Sequence, residues 1–378
     1  MEKLKKKPVI FAWLMIVALS LGAAWTKKRL TYATGDAERP AVATYGSNIY
    51  VVYEDDSSGN DEIYFRKSAD SGSTWQSAKK LTDNSGVSCR PRVAVSGANV
   101  YVVWDDETPG KGEIYFRRST DYGATWDTEK RLTNNSEQSW MADIAASGEN
   151  VYVAWCDANP GNYEIYFRRS TDSGSTWESA QRLTNNAGDS YNPSIAASGS
   201  KVAVAWYDFT PGNGEIYFRR STDNGATWKN QKRLTNNTEA SYIARVAISG
   251  ANAYVVWYDA MPGNCEIYFR KSTDSGSTWA SEQKLTDTAG GSYCARIAIS
   301  GSKIFLAWYD DTTGSDEIYF RKSTDGGATW QSAKRLTDNT IEDMDPDIAV
   351  NDANVYVVWK EQIAADGDWE IFIKYSPL

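Results

Sequence analysis

Ser119-Thr120-Asp121-Tyr122-Gly123-Ala124-Thr125-Trp126 decides the fold of this chain, because the pattern Ser-x-Asp-x-Gly-x-Thr-Trp occurs six times. Its aspartate stands at Asp70, Asp121, Asp172, Asp223, Asp274 and Asp325, each 51 residues after the last. The pattern suits a turn between two strands: a carboxylate accepts backbone N–H bonds across it, glycine permits positive φ, and tryptophan packs between units. A feature repeated identically six times reads as structural, since one catalytic centre needs unlike groups at one place.

Working outward, other features keep the same step. Leu30, Leu81, Leu132, Leu183, Leu234, Leu285 and Leu336 make seven copies, as do Ala43, Ala94, Ala145, Ala196, Ala247, Ala298 and Ala349. Each unit reads as four short strands. In the second unit they are Arg92–Val95, Val100–Trp104, Glu113–Arg118 and Lys130–Thr133, separated by Gly, Asn, Asp and Pro, and nothing shows helical spacing. Four antiparallel strands in a unit of this length predict an all-β propeller blade. Side-chain size agrees. The first strand carries the recurrent alanine, and the second and third carry Tyr, Trp and Phe, so bulk grows outward as a radial wedge requires. The chain opens on a lone fourth-strand copy, Trp25 to Thr31, and closes on three strands, Ile348–Val350, Val355–Trp359 and Glu370–Tyr375. Joined, they make a seventh blade and leave no open edge between the ends. The expected organisation is a single domain over residues 25–378.

Ser119 to Trp126 and its five siblings resemble the bacterial sialidase Asp-box repeat, also called the BNR repeat, and the resemblance covers essentially the whole chain after residue 24. It implies a sialidase-like β-propeller in which the box lies away from any active centre. It leaves function open, because Asp-box propellers include sialidases, other glycosidases, sugar-binding lectins and protein receptors.

Composition narrows the chemistry. The chain has no histidine, which removes Ser-His-Asp and Cys-His catalysis and the commonest zinc ligand. Residues 1–24 read as an export signal: Lys3, Lys5, Lys6 and Lys7, an apolar run from Val9 to Leu21, then Gly22-Ala23-Ala24. The alternative is an uncleaved membrane anchor, the one route by which this chain would meet a membrane. Loss of the segment removes four lysines and one glutamate, carrying the net charge from −9 to about −12. So acidic a surface is repelled by phosphate backbones, which argues against nucleic acid as a partner. The expected location is periplasmic, cell-surface or extracellular.

Comparison of the seven units places most variation on one rim, the top, where blade-to-blade loops and second-to-third-strand loops meet. At the entry to the first strand the equivalent residues are Ala41, Arg92, Asp143, Ser194, Arg245, Arg296 and Asp347. Three positions earlier stand Glu38, Cys89, Trp140, Tyr191, Tyr242, Tyr293 and Met344. The expected ligand site is therefore Arg92, Arg245 and Arg296 with Trp140, Tyr191, Tyr242 and Tyr293, because aromatic faces beside charged hydrogen-bonding groups suit sugar rings. Asp106, Asp157, Asp208, Asp259 and Asp310, with Glu113, Glu164, Glu215, Glu266 and Glu317, form oxygen-rich loops. Hydrogen bonding within each blade is the favoured duty for so regular a set, Ca²⁺ the alternative, and no other cofactor is implied. Cys89, Cys156, Cys265 and Cys294 interrupt the repeat near the top. An even count in an exported chain suggests bridges, Cys265 to Cys294 and Cys89 to Cys156.

Two functions fit. The first is a non-catalytic module binding a glycan or a cell-envelope protein, with repeated pockets that gain strength through multivalency. The second, by resemblance, is a sialidase-like glycoside hydrolase. Arg92, Arg245 and Arg296 would hold a substrate carboxylate, and Asp143 and Asp347 would supply catalytic carboxyls. Against it, sialidases usually have six blades, the Arg-Ile-Pro motif that opens their catalytic domain is absent, and no Tyr–Glu pair stands out from the repeat.

Overall fold

The computed structural model describes residues 24–32, 34–260, 263–363 and 367–378, so the expected export signal lies almost entirely outside the described residues. Among the described residues no helix is long and apolar enough to cross a membrane. The strands form seven four-stranded antiparallel sheets. In blade 2 they run Ser88–Ser96, Asn99–Asp106, Glu113–Ser119 and Lys130–Arg131, within two residues of expectation except at the start of the first strand. Ring closure follows the expected route. Thr26–Arg29 pairs antiparallel with Phe372–Tyr375 and becomes the outer strand of blade 7, whose other strands are Asp343–Val350, Asn354–Gln362 and Trp369–Pro377. Lys27 pairs with Glu361, and Arg29 donates to Glu370 at 2.6 Å, so the junction is ionic as well as backbone-bonded.

The core lies between blades. Tyr101, Val102, Val103 and Trp104 are all fully buried because both faces of the second strand are covered. Trp104 stacks on Tyr115 within the blade, with ring centroids 6.0 Å apart. Trp126 of the Asp box meets Phe65 of the preceding blade edge-on at 5.0 Å, and the same contact recurs at Phe116–Trp177, Phe167–Trp228, Phe218–Trp279 and Phe269–Trp330.

The box holds itself shut. Asp121 accepts from the Thr125 N–H at 2.8 Å, the Thr125 hydroxyl at 2.5 Å and the Ser119 hydroxyl at 2.7 Å. The Ser119 oxygen accepts the Gly123 N–H at 2.8 Å. Gly123 is required twice over: its φ is +83°, and a Cβ there would lie 2.5 Å from Phe65 Cζ.

The acidic loops serve the blades. Asp106 Oδ2 accepts from Trp104 Nε1, Ser88 Oγ and Asn84 Nδ2, each at 3.0 Å, while Oδ1 accepts the Thr108 N–H at 2.9 Å. Glu113 Oε1 accepts from Arg131 and from the Asn135 N–H. No cluster of three or more metal-binding side chains occurs among the described residues.

Neither expected disulfide is present. All four cysteines are free thiols. Cys156 is buried on the second strand of blade 3, its thiol directed to the Trp140 carbonyl at 3.0 Å. Cys89 lies on the first strand of blade 2, against Arg90. The Cys265 thiol is hydrogen-bonded with Tyr293, and Cys294 faces the Tyr309 hydroxyl at 3.9 Å.

Candidate functional site

Each blade's first strand carries a β-bulge at its top. The register slips between Trp140 and Asp143, and at the equivalent place in the other six blades. The bulge places one non-glycine residue per blade in the left-handed region: Arg39, Arg90, Met141, Asn192, Ile243, Cys294 and Asp345, with φ between 46° and 58°. For β-branched Ile243 this is a strained conformation, and strain of this kind concentrates at functional sites. The preceding blade holds some of these bulges: Glu54 accepts the Arg90 N–H at 2.7 Å and Asp105 accepts the Met141 N–H at 2.9 Å.

Two tiers of side chains result around the axis. Below the bulge, Ala41, Arg92, Asp143, Ser194, Arg245, Arg296 and Asp347, one from each blade, line a common cavity of about 130 Å³. Above it lies a cavity of about 160 Å³, whose wall includes Arg39, Arg90, Met141, Asn192, Ile243, Cys294 and Asp345 together with Arg92, Asp143, Arg245 and Arg296. The structure thus brings the expected arginine trio and Asp143 together with residues the sequence reading missed. The missed residues keep the same 51-residue step and vary from unit to unit, which was the available signal. A regular strand would have turned them away, and no glycine marks the bulge.

The trio is only partly compensated: Asp143, Asp345 and Asp347 favour charge on Arg92, and Asp143 on Arg245, without pairing to them. Arg92 donates to the Pro91 carbonyl, Arg245 to Asn192 Oδ1 and the Ala244 carbonyl, each at 2.9 Å, and Arg296 to the Pro346 carbonyl at 3.2 Å. Among the described residues none of the three forms an ion pair with a carboxylate. Burial, then Arg296, then Arg92 disfavour the charged form of Arg245, whose pKa is lowered well below the usual value. Burial and then Arg296 act likewise on Arg92, against the opposing effect of Asp143, Asp347 and Asp345. An arginine does not give up its proton in a protein, so the physical content is a crowded positive charge that the neighbouring aspartates relieve only in part.

The neighbouring polar groups are committed to the ring. Asp143 accepts the Ile195 N–H and Asp347 the Val42 N–H, each at 2.9 Å, and Ser194 accepts the Val246 N–H at 3.3 Å. Each ties its blade to the next. Burial pushes Glu54 up to about 7 and Asp105 up to about 6, although Glu54 pairs with Arg39 and Asp105 lies 3.5 Å from Arg90.

The expected aromatic crescent exists but sits outside the residues that line the upper cavity. Trp140 stacks on Tyr163 at 6.2 Å and Tyr163 meets Tyr191 at 4.9 Å. The arc continues through Tyr207–Tyr242 at 5.6 Å, Tyr242–Tyr258 at 5.7 Å and Tyr258–Tyr293 at 5.7 Å. It spans the rim of blades 3 to 6 with each ring half-buried. Arg90 links it to the cavity by lying 5.3 Å over the Trp140 ring.

No family model matches the chain. It is 27% identical over 264 residues to the xyloglucanase Xgh74A of Acetivibrio thermocellus, covering 62% of this chain and 30% of that protein. It is 22% identical over 273 residues to a sialidase of Bacteroides fragilis, covering 59% of this chain and 49% of that one. The chain therefore spans less than half the length of these relatives. Among solved structures it superposes on Trypanosoma rangeli sialidase with a TM-score of 0.54 at 11% identity, over 94% of this chain and 60% of that one. The likeness is one of fold: this is a seven-bladed propeller with sialidase-like propellers among its structural neighbours.

Proposed function

We propose that the chain is a non-catalytic glycan-binding propeller that takes a carboxylate-bearing sugar into its top-face cavity. The observation that carries this reading is the convergence of Arg92, Arg245 and Arg296 on one cavity with no carboxylate in direct ion pair with any of them. A buried guanidinium cluster favours an anion, and a sugar carboxylate accepts two parallel N–H bonds from one guanidinium. The aromatic arc beside it offers apolar ring edges to further sugar units. The named activities of the xyloglucanase and sialidase relatives support a glycan as the ligand.

Binding is favoured over turnover because Asp143 and Asp347, the carboxyls a hydrolase would need, already serve as acceptors for backbone N–H groups of the next blade. The described residues lining the upper cavity also include neither tyrosine nor glutamate. The second reading, a sialidase-like hydrolase, draws on Asp345, whose carboxyl lies at the same cavity and is partly exposed.

One experiment separates them. The protein is applied to an array of neutral and carboxylated glycans, and in parallel to 4-methylumbelliferyl glycosides. Retention on carboxylated glycans without release of the fluorophore is expected, with retention lost in Arg245→Ala. Fluorophore release that Arg245→Ala abolishes overturns the binding-module reading, and retention independent of the carboxylate overturns the site.

A further inference from the structure

The top rim has two chemically distinct halves. Near its inner edge, one residue of the first strand faces one of the second strand in every blade. In blades 4, 5 and 6 both are tyrosine: Tyr191 with Tyr207, Tyr242 with Tyr258, and Tyr293 with Tyr309. Their ring centroids lie 5.8, 5.7 and 5.4 Å apart. Edge-on contacts carry the series across the blade junctions, from Tyr207 to Tyr242 at 5.6 Å and from Tyr258 to Tyr293 at 5.7 Å. Tyr163 of blade 3 extends it at one end by meeting Tyr191 at 4.9 Å. The result is one continuous strip of half-buried rings.

The same two positions hold Met344 and Lys360 in blade 7, Glu38 and Glu54 in blade 1, and Cys89 and Asp105 in blade 2. That half of the rim is closed by charge pairs. Lys360 meets Glu38 at 2.7 Å and Asp345 at 3.6 Å, Arg39 pairs with Glu54, and Arg90 lies 3.5 Å from Asp105. Trp369, the blade 7 counterpart of Tyr163, has Lys360 Nζ 4.3 Å over its ring. Three blades thus close on their neighbours with no ring at either position, so blade packing does not demand the tyrosines. Part of the strip is also held in place: Tyr191 donates to Asp189 at 3.2 Å and Tyr163 to Gln138 at 3.0 Å. A ring already anchored loses little further freedom when a ligand stacks on it.

We infer that the strip is a run of subsites for successive residues of one glycan chain, so that the top face takes a linear acidic oligosaccharide and not a single acidic sugar. The inference rests on the reading of Arg92, Arg245 and Arg296 as a carboxylate site. Three like platforms on successive blades suit three like units of a chain, because each sugar ring has an apolar C–H face to lay on an aromatic one. Charge keeps the same step. Arg245 and Arg296 stand three positions after Tyr242 and Tyr293 and line the same cavity, so acidic groups on more than one residue each find a guanidinium. The chain leaves the cavity over blades 4 to 6, since the opposite half offers paired charges in place of bare rings. One residue in the cavity and one on each tyrosine pair set the recognised length at about four residues.

The test uses the full chain and two graded series of probes, oligogalacturonates and hyaluronan fragments, each from its shortest member up to about six residues, titrated by calorimetry. In a series that binds, Kd is expected to fall by about tenfold or more up to about four residues and to level off beyond. The double variant Tyr242→Leu with Tyr293→Leu is expected to lose most of that gain, and a melting temperature close to that of the parent certifies that it is folded. Arg245→Ala is expected to lose binding at every length. A Kd that does not change with length, while binding still requires Arg245, overturns the chain and leaves the carboxylate site standing, and the strip is then a surface for a protein. A gain with length that the double tyrosine variant keeps in full overturns the inference as well, because the chain then lies elsewhere. Binding of neither series at any length overturns both readings.

Discussion

Replacement of Arg245 by methionine is expected to make the protein more stable and unable to bind its ligand. The Arg245 residue is only 8% exposed; its Nη1 has two acceptors at 2.9 Å, while buried Nε has none. Burial and two neighbouring arginines act against its charge and outweigh the opposing effect of Asp143. Replacing buried charges by an apolar group of similar shape commonly stabilises by about 1–4 kcal/mol, and the lost bond to the Ala244 carbonyl costs about 1 kcal/mol. The net gain is about 0–3 kcal/mol, which in a domain of this size raises Tm by up to roughly 4 °C. Binding moves the other way. A charged hydrogen bond is worth about 1.5–3 kcal/mol, so affinity for a carboxylated glycan falls by roughly ten- to a hundredfold. The assay is thermal denaturation with and without the glycan, beside calorimetric titration. Destabilisation of Arg245→Met by about 1 kcal/mol or more with glycan affinity retained would refute the reasoning, because Arg245 would then be a structural strut.

Three further predictions concern the frame. Hydrogen bonds from Thr74 and Thr176, side chain first and then backbone, hold Asp70 and Asp172 down to about 2. A depressed carboxyl stabilises above its unfolded pKa near 4 and loses that contribution as pH falls through 2, so these two residues' share of the urea midpoint, read as the difference from Asp70→Asn and Asp172→Asn, is expected to be constant above pH 4 and to drop below it. Asp343 has the opposite sign: burial and then Glu361 push its pKa up, so its folded form favours the proton and stability drains away as pH rises. Asp343→Asn keeps an acceptor for Trp359 Nε1, now 2.7 Å from the carboxyl, and is expected to stabilise at pH 9 far more than at pH 5 in the same urea titration. Gly123→Ala is expected to cost about 2–4 kcal/mol by combining a left-handed φ with overlap on Phe65, whereas Gly148→Ala, at φ +61° with nothing within 4 Å of a Cβ, costs about 1–2 kcal/mol. Equal losses in calorimetry would show that the Phe65 contact is slack.

The sequence carried the architecture because a repeat multiplies weak signals. One four-residue apolar run is ambiguous, but seven copies at a constant step fix strand number, blade number and the pairing of Thr26–Arg29 with Phe372–Tyr375. It also carried Arg92, Arg245 and Arg296, since variation at one register position is visible without coordinates.

What required the tertiary structure was everything that depends on a local break in period or on a neighbour from another blade. The bulge adds a residue to each inner strand and brings Arg39, Arg90, Asn192 and Asp345 to the axis. The four cysteines are free thiols, each with a neighbour other than a second cysteine. The committed state of Asp143 and Asp347 is a relation between blades. Pattern along a chain records what each unit repeats, and only closure of the circle determines which group meets which across a junction.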